Sequence, residues 1–418
     1  MSAIKPFKGF TPTKESASKV ASLPYDVMNS EEAREITKDN PLSFLRVVKS
    51  EVDFPSDADT HSDEVYNKGS ENLQQLIADG NLVQSEKPVF YLYRQIMGDV
   101  TQIGLVAGAS VDEYDTGLIK KHEHTRKVKE DDRAKHVNIL NANTGPVFLT
   151  YQHKAEIDDL VASIITIEPA IDFTADDSIQ HTLWNVNNDE TIDKFIELFN
   201  DVPALYVADG HHRSAAASRV KAMRVADNKS HSGDEPYNHF LSVIFPDNQL
   251  FVMDYNRVLK TLNGNSVEDL KAKIAESFDL TLLDIDNAKD AKPERRTEFA
   301  MYLNDAWYRL KTKENLIDRN DPVNSLDVAL LQNLLLQPIL GIEDPKTSND
   351  IDFVGGIRGL SELEKRCHDD CQVAFALYPT GIDQLIAIAD AGEVMPPKST
   401  WFEPKLRSGM IVKSLATE

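Results

Sequence analysis

Cysteine is nearly absent from this chain: Cys367 and Cys371 are the only two, spaced C-x3-C. Two thiols in 418 residues build no disulfide framework, and their spacing is not that of a C-x-x-C redox motif, so a reducing compartment is expected. Long apolar runs are missing as well. No stretch approaches the roughly 20 residues that a membrane helix needs. The start "MSAIKPFKGFTPTKESASKV" carries lysines but no apolar segment ahead of a small-residue cleavage site. A membrane-spanning or secreted chain is therefore not expected; a cytoplasmic one is. Positive charge is scarce: 45 Lys and Arg stand against 68 Asp and Glu, a formal net charge of −23. Such a surface repels phosphodiester backbones, so nucleic acid is not an expected partner and any nucleotide must sit in a local basic pocket.

What is there reads as globular α/β text. A hydrophobic share of 41% supports a sizeable core, and at roughly 150 residues per domain the length predicts two or three units. Residues 1–110 mix turns with helices, "SEEAREITKDNP" opening at an N-cap-like Ser30, and end in a hairpin about Met97-Gly98-Asp99. Residues 111–240 alternate: "DEYDTGLIKKHEHTRKVKEDDRAKHVNILNAN" reads as mostly helical, "GPVFLTYQ", "SIITIEPAIDF" and "HTLWNVN" as strands, and "DETIDKFIELFND" as an amphipathic helix. Residues 241–418 add further strands, a helix in "SLDVALLQNLLLQPILG" from Ser325 to Gly341, and an irregular tail rich in proline. The expected fold class is mixed α/β.

The densest chemistry lies in "LYVADGHHRSAAASRV", residues 205–220. An apolar strand ending in Asp209 runs straight into a helix, which aims the helix's first N–H groups and the positive end of its dipole at the corner. Gly210 lets the backbone approach a phosphate closely, while His211, His212 and Arg213 add donors and positive charge. Asp209 stands where a carboxylate can hold a metal or orient an imidazole. The plainer reading makes Asp209 an N-cap and the histidines surface residues; four functional residue types in a row favour a site.

The second constellation is "GLIKKHEHTRKVKEDDR", where Glu123 lies among Lys120, Lys121, His122, His124 and Arg126. A carboxylate in that much positive charge stays ionised and can accept a proton. The stretch from Lys127 to Asp132 reads as a solvated helix face. "SLPYDVMNSEEAR" and "MPPKSTWFEPKLRSG" combine proline-fixed loops with aromatic and polar groups suited to a pocket wall or a domain contact, with Tyr25 and Trp401 read as packing residues.

"ADGHHRSAAA" resembles the D-G-H-H-R corner of the ParB/sulfiredoxin-like superfamily, in particular of the free-serine kinases, and "KKHEHT" matches their upstream His-Glu pair. With "LPYDV" and "MPPKSTWF" added, the whole chain resembles a long bacterial family catalogued as a domain of unknown function, DUF1015. The resemblance implies a ParB/sulfiredoxin-like core over 111–240 with N-terminal and C-terminal α/β additions. It further implies phosphoryl transfer from ATP or ADP to the hydroxyl of free L-serine, with Mg²⁺ present. Carried over by motif, Glu123 is the general base with His122 beside it, Gly210, His211, His212 and Arg213 hold the nucleotide phosphates, and Asp209 supports the site and the metal. Arg126 or Arg133 would hold the serine carboxylate. The resemblance leaves a homodimer open. Two rivals stand beside it. A metal-dependent hydrolase would gather His122, His124, Asp209, His211 and His212 on one ion. A non-catalytic regulator would bind nucleotide in the same cradle without turning it over.

Overall fold

The computed structural model describes residues 2–417. The chain divides into two compact units, Met1–Leu250 with Pro404–Glu418, and Phe251–Glu403. The mixed α/β class is what the sequence leads one to expect.

The first unit is built on a nine-stranded mixed sheet. Its strands lie in the order 119–120, 205–209, 147–151, 239–246, 100–110, 90–97, 180–186 and 171–174, with Ile4–Lys5 also pairing along Val100–Ser110. The hairpin forms as expected: Phe90–Met97 and Val100–Ser110 pair antiparallel across a turn in which Gly98 has φ 57°. Val147–Tyr151 is buried at every position, as an uninterrupted apolar strand should be. It lies between Leu205–Asp209, antiparallel, and His239–Pro246, parallel. The helix Asp189–Asn200 is capped by Asn188 and buries Ile192, Phe195 and Phe199 against Phe90, Trp184 and Val186 of the sheet. A four-stranded sheet in the same unit has the order 82–84, 9–12, 412–414, 142–143, so the last strand of the chain, Val412–Ser414, sits inside the N-terminal region.

The second unit carries a six-stranded sheet, in the order 278–282, 306–312, 298–303, 373–377, 255–259, 351–355, and a two-stranded pair of 251–253 with 401–403. Its core gathers Leu259, Phe278, Phe299, Leu310, Val373 and Phe375. Trp401, read as a packing residue, lies against Gly355 there. Both cysteines are free thiols.

Several expectations are corrected. The division drawn at 110 runs through the large sheet, because Val100–Ser110 pairs with His239–Pro246. The division at 240 cuts the latter strand, and the chain returns at 404–418 to the first unit. The helix near Ser30 is capped by Asn29, whose side chain and that of Glu32 form a reciprocal capping box. Of "SIITI", Ser163 and Ile164 end the helix Ala155–Ile164 and the rest is a turn, and only "IDFT" is a strand. The helix expected from Ser325 is a short one, Asp327–Leu331, running into a π turn, Gln332–Leu336, in which the consecutive Leu335 and Leu336 are both buried.

Candidate active site

The strand Leu205–Asp209 turns into the helix His211–Asp227 through Gly210, whose φ is 100°. That left-handed conformation strains any residue with a side chain, and a Cβ there would also lie 3.1 Å from Arg213 Nε. The Gly210 carbonyl accepts from the N–H groups of Arg213 and Ser214 at 2.9 and 3.0 Å, which starts the helix. Ala215, Ala216 and Ala217 are buried, so small residues do seat this helix tightly.

The loop 121–126 reaches this corner through sheet pairing. The short strand Ile119–Lys120 runs parallel to Leu205–Asp209, with Ile119 opposite Leu205 and Lys120 opposite Tyr206. Continuing past that pair, the loop lays His122 beside His211, rings edge to face with centroids 4.5 Å apart, and puts Glu123 Oε2 3.9 Å from His211 Nδ1. The Arg126 N–H donates to His212 Nε2 at 3.2 Å. The stretch expected to be mostly helical therefore begins in the short helix Val111–Asp115, runs as strand and open loop from Thr116 to Arg126, and is helix again over Lys127–Leu140.

Asp209 meets a residue that lies outside both motifs. Lys405 Nζ stands 3.1 Å from Asp209 Oδ2, and Arg213 Nη2 3.8 Å from Oδ1. Burial raises the Asp209 carboxyl, but Lys405 and Arg213 outweigh it and hold the group well below the usual carboxylate range. The signal was in the sequence: Lys405 belongs to "MPPKSTWFEPKLRSG", read only as a wall. The segment is held by Arg407, whose Nε donates to His181 Nε2 at 3.2 Å and whose Nη2 pairs with Asp177. Ser22 and Ser408 exchange backbone hydrogen bonds at 3.0 and 2.9 Å, tying the "SLPYDV" loop to the same segment.

The histidines do not bring the positive charge expected of them. Burial pushes His122 down to about 4, opposed by the Asp209 charge. Burial, then the neighbouring His122, drives His211 well below its ordinary value, and burial with Arg126 lowers His212. All three are neutral at pH 7. They act as hydrogen-bonding groups, and two buried ring atoms, His122 Nδ1 and His211 Nε2, lack a partner among the described residues. Within the motif the fixed positive charge is Arg213, which donates through Nη1 to the Pro146 carbonyl and has its buried Nε unpartnered.

The two arginines offered for a substrate carboxylate separate clearly. Arg126 is exposed. Arg133 is largely buried, pairs with Asp132 at 2.8 Å, stacks its guanidinium 4.0 Å over the Tyr25 ring, and lines one small cavity of about 30 Å³ with Arg213, Tyr25, Thr144 and Ser408. Burial, with Asp26 next, pushes the Tyr25 phenol up to about 12, so it remains a donor. Tyr25, read as a packing residue, is a cavity wall.

The metal assigned to Asp209 does not fit. Its carboxylate is engaged by two cationic side chains, and no group of three or more His, Cys, Asp or Glu that could hold a metal ion exists among the described residues. The ligand set of the metal-hydrolase rival is likewise not assembled: His124 is exposed, and His122 and His211 meet edge to face. No helix among the described residues is long and apolar enough to cross a membrane.

Comparison with known proteins adds the following. The chain is similar to a conserved hypothetical protein from Pyrococcus furiosus, at 15% identity and TM-score 0.35 over 73% of this chain and 93% of that one. It is similar to a free serine kinase in complex with AMP, at 12% and 0.35 over 78% and 93%, and to SbnI with a C-terminal truncation from Staphylococcus aureus, at 12% and 0.36 over 72% and 85%. No curated protein sequence matches. A family profile covers residues 4–329, and the chain belongs to that family, described as a protein of unknown function, DUF1015.

Proposed function

We propose that this protein is a small-molecule phosphotransferase that moves a phosphoryl group from ATP or ADP to the hydroxyl of free L-serine. The observation that carries the reading is the placement of Glu123 3.9 Å from His211, at the N-terminal end of the helix His211–Asp227, although the two residues lie far apart in sequence. A base and an anion cradle then share one corner, which phosphoryl transfer to an alcohol requires.

In this reading the first N–H groups of the helix, the Arg213 guanidinium and the ring nitrogens of His211 and His212 bind the phosphates. The neutral imidazoles suit donor and acceptor contacts better than charge neutralisation. Arg133, facing the same cavity as Arg213, binds the serine carboxylate with the donors that Asp132 leaves over. Glu123 takes the hydroxyl proton as the serine oxygen forms its bond to the terminal phosphorus and the bridging P–O bond breaks, the electron pair leaving on the nucleotide. The Lys405–Asp209 pair fixes the strand end from which Gly210 and the helix start.

Phosphorus NMR with Mg²⁺, L-serine, and ATP or ADP in turn tests this. A new phosphomonoester resonance that requires serine is expected, and Glu123→Gln should abolish it while leaving nucleotide binding intact. Full activity in that variant removes Glu123 as the base. Nucleotide binding with no product for any hydroxyl amino acid makes the protein a nucleotide-responsive regulator instead.

A further inference from the structure

The last strand of the chain, Val412–Ser414, brings a lysine into the interior of the first unit. Lys413 is 4% exposed, and its Nζ donates to the Pro236 carbonyl. No carboxylate pairs with it among the described residues; the charged groups that act on it are Lys5 and Arg224, both cationic. A buried ammonium without a counter-ion is costly, and proteins supply a partner or let the group lose its proton.

Lys413 lines a pocket of about 470 Å³ that shares no residue with the corner at Asp209. Lys5, Lys8 and His239 line it too, and its apolar walls include Phe7, Phe10, Pro6 and Pro88. Among the described residues of the lining the acidic group is Asp234, which is exposed and paired at 3.5 Å with Lys5. On a chain of net charge −23, a buried lysine in a pocket wall that has no carboxylate partner among the described residues is a local reversal of the protein's field.

We propose that this pocket is a second ligand site, which takes a small organic carboxylate with an apolar body: the carboxylate meets Lys413 and Lys5, and the body lies against Phe7 and Phe10. The volume suits a ligand of that size, and ligand sites are mostly apolar with a few placed polar groups. Burial, then Lys5 and Arg224, pushes Lys413 down to about 7. A bound carboxylate favours its charged form, so above pH 7 binding takes up a proton. The other titratable groups facing the pocket are Lys8, Asp234 and His239, of which His239 is pushed down to about 4 by burial and then by Lys413, and does not titrate near pH 7.

The test uses phenylacetate, its neutral isostere phenylacetamide, and inorganic phosphate, titrated into the full-length protein by calorimetry in buffers of different ionisation enthalpy. Saturable phenylacetate binding is expected, with proton uptake at pH 8 that fades at pH 6 and with much weaker binding of both comparison compounds. Lys413→Met, which replaces a buried amine by an apolar side chain and should not lower the melting temperature, should weaken phenylacetate by about tenfold or more and remove the proton uptake. Lys5→Gln, at a half-exposed position, should weaken it less. No saturable binding, equal binding of the amide or of phosphate, or an unchanged affinity in Lys413→Met would overturn the proposal.

Discussion

Lys405 and Asp209, 196 residues apart in sequence, form an ion pair at 3.1 Å that closes the strand end from which the candidate site is built. Both side chains are more than two-thirds buried. Removing one partner leaves the other charge in a poorly solvated place, which costs more than the pair's net worth. Lys405→Met should therefore lower stability by about 1–3 kcal/mol, read as a fall in urea midpoint. Adding Asp209→Asn should recover part of the loss, since the orphaned charge is then gone; strictly additive losses would show that the pair is not coupled.

Gly210 holds φ 100° at the entry to the helix. Gly210→Ala should cost about 1–3 kcal/mol from backbone strain alone, and crowding of Arg213 by the new Cβ should disturb the cradle as well. Equilibrium unfolding measures the first effect and nucleotide titration the second. Wild-type values for both would mean that the corner relaxes freely.

Arg213 is the fixed cation at the start of the helix, its guanidinium held by the Pro146 carbonyl and by Asp209. Arg213→Ala should weaken ADP or ATP binding by about tenfold to a hundredfold, the size of a charge-assisted contact to phosphate. Unchanged affinity removes Arg213 from the phosphate cradle.

The buried histidines make stability pH-dependent with a definite sign. His122 is pushed down to about 4, and His136 to about 3, in both cases by burial first. Above about pH 6.5 each imidazole is neutral in folded and unfolded chains alike. As pH falls from 6.5 towards 4 the unfolded chain takes up protons that the folded one does not, so stability drops, by up to about 3 kcal/mol for His122. Urea midpoints between pH 7 and 4.5 should fall, and more gently in His122→Asn. A slope identical to the wild type would place His122 in solvent.

Local patterns were legible where one physical cause acted alone. The hairpin at Gly98 could be read because a left-handed turn residue punctuates two β-rich runs, and the helix Asp189–Asn200 because its apolar residues recur with the helical period. The corner at Asp209 to Arg213 was legible because strand, glycine and helix onset follow one another in sequence. Where propensities compete, the sequence misled: "SIITI" is rich in β-branched residues, yet it forms no strand and its first two residues end the helix Ala155–Ile164, because a helix face with few buried residues tolerates such residues at modest cost.

The sequence by itself determined the composition of the site, since the donors, the arginine and the carboxylate all lie in two short motifs. Tertiary structure decided their meeting and their charge. Glu123 reaches His211 because a two-residue strand pairs in parallel with the one ending at Asp209, a relation with no local signature. The neutrality of His122 and His211 follows from burial, which no spacing encodes. The partner of Asp209 came from a tail that crosses a whole second unit before returning, and only folding brings such distant charges within reach of each other.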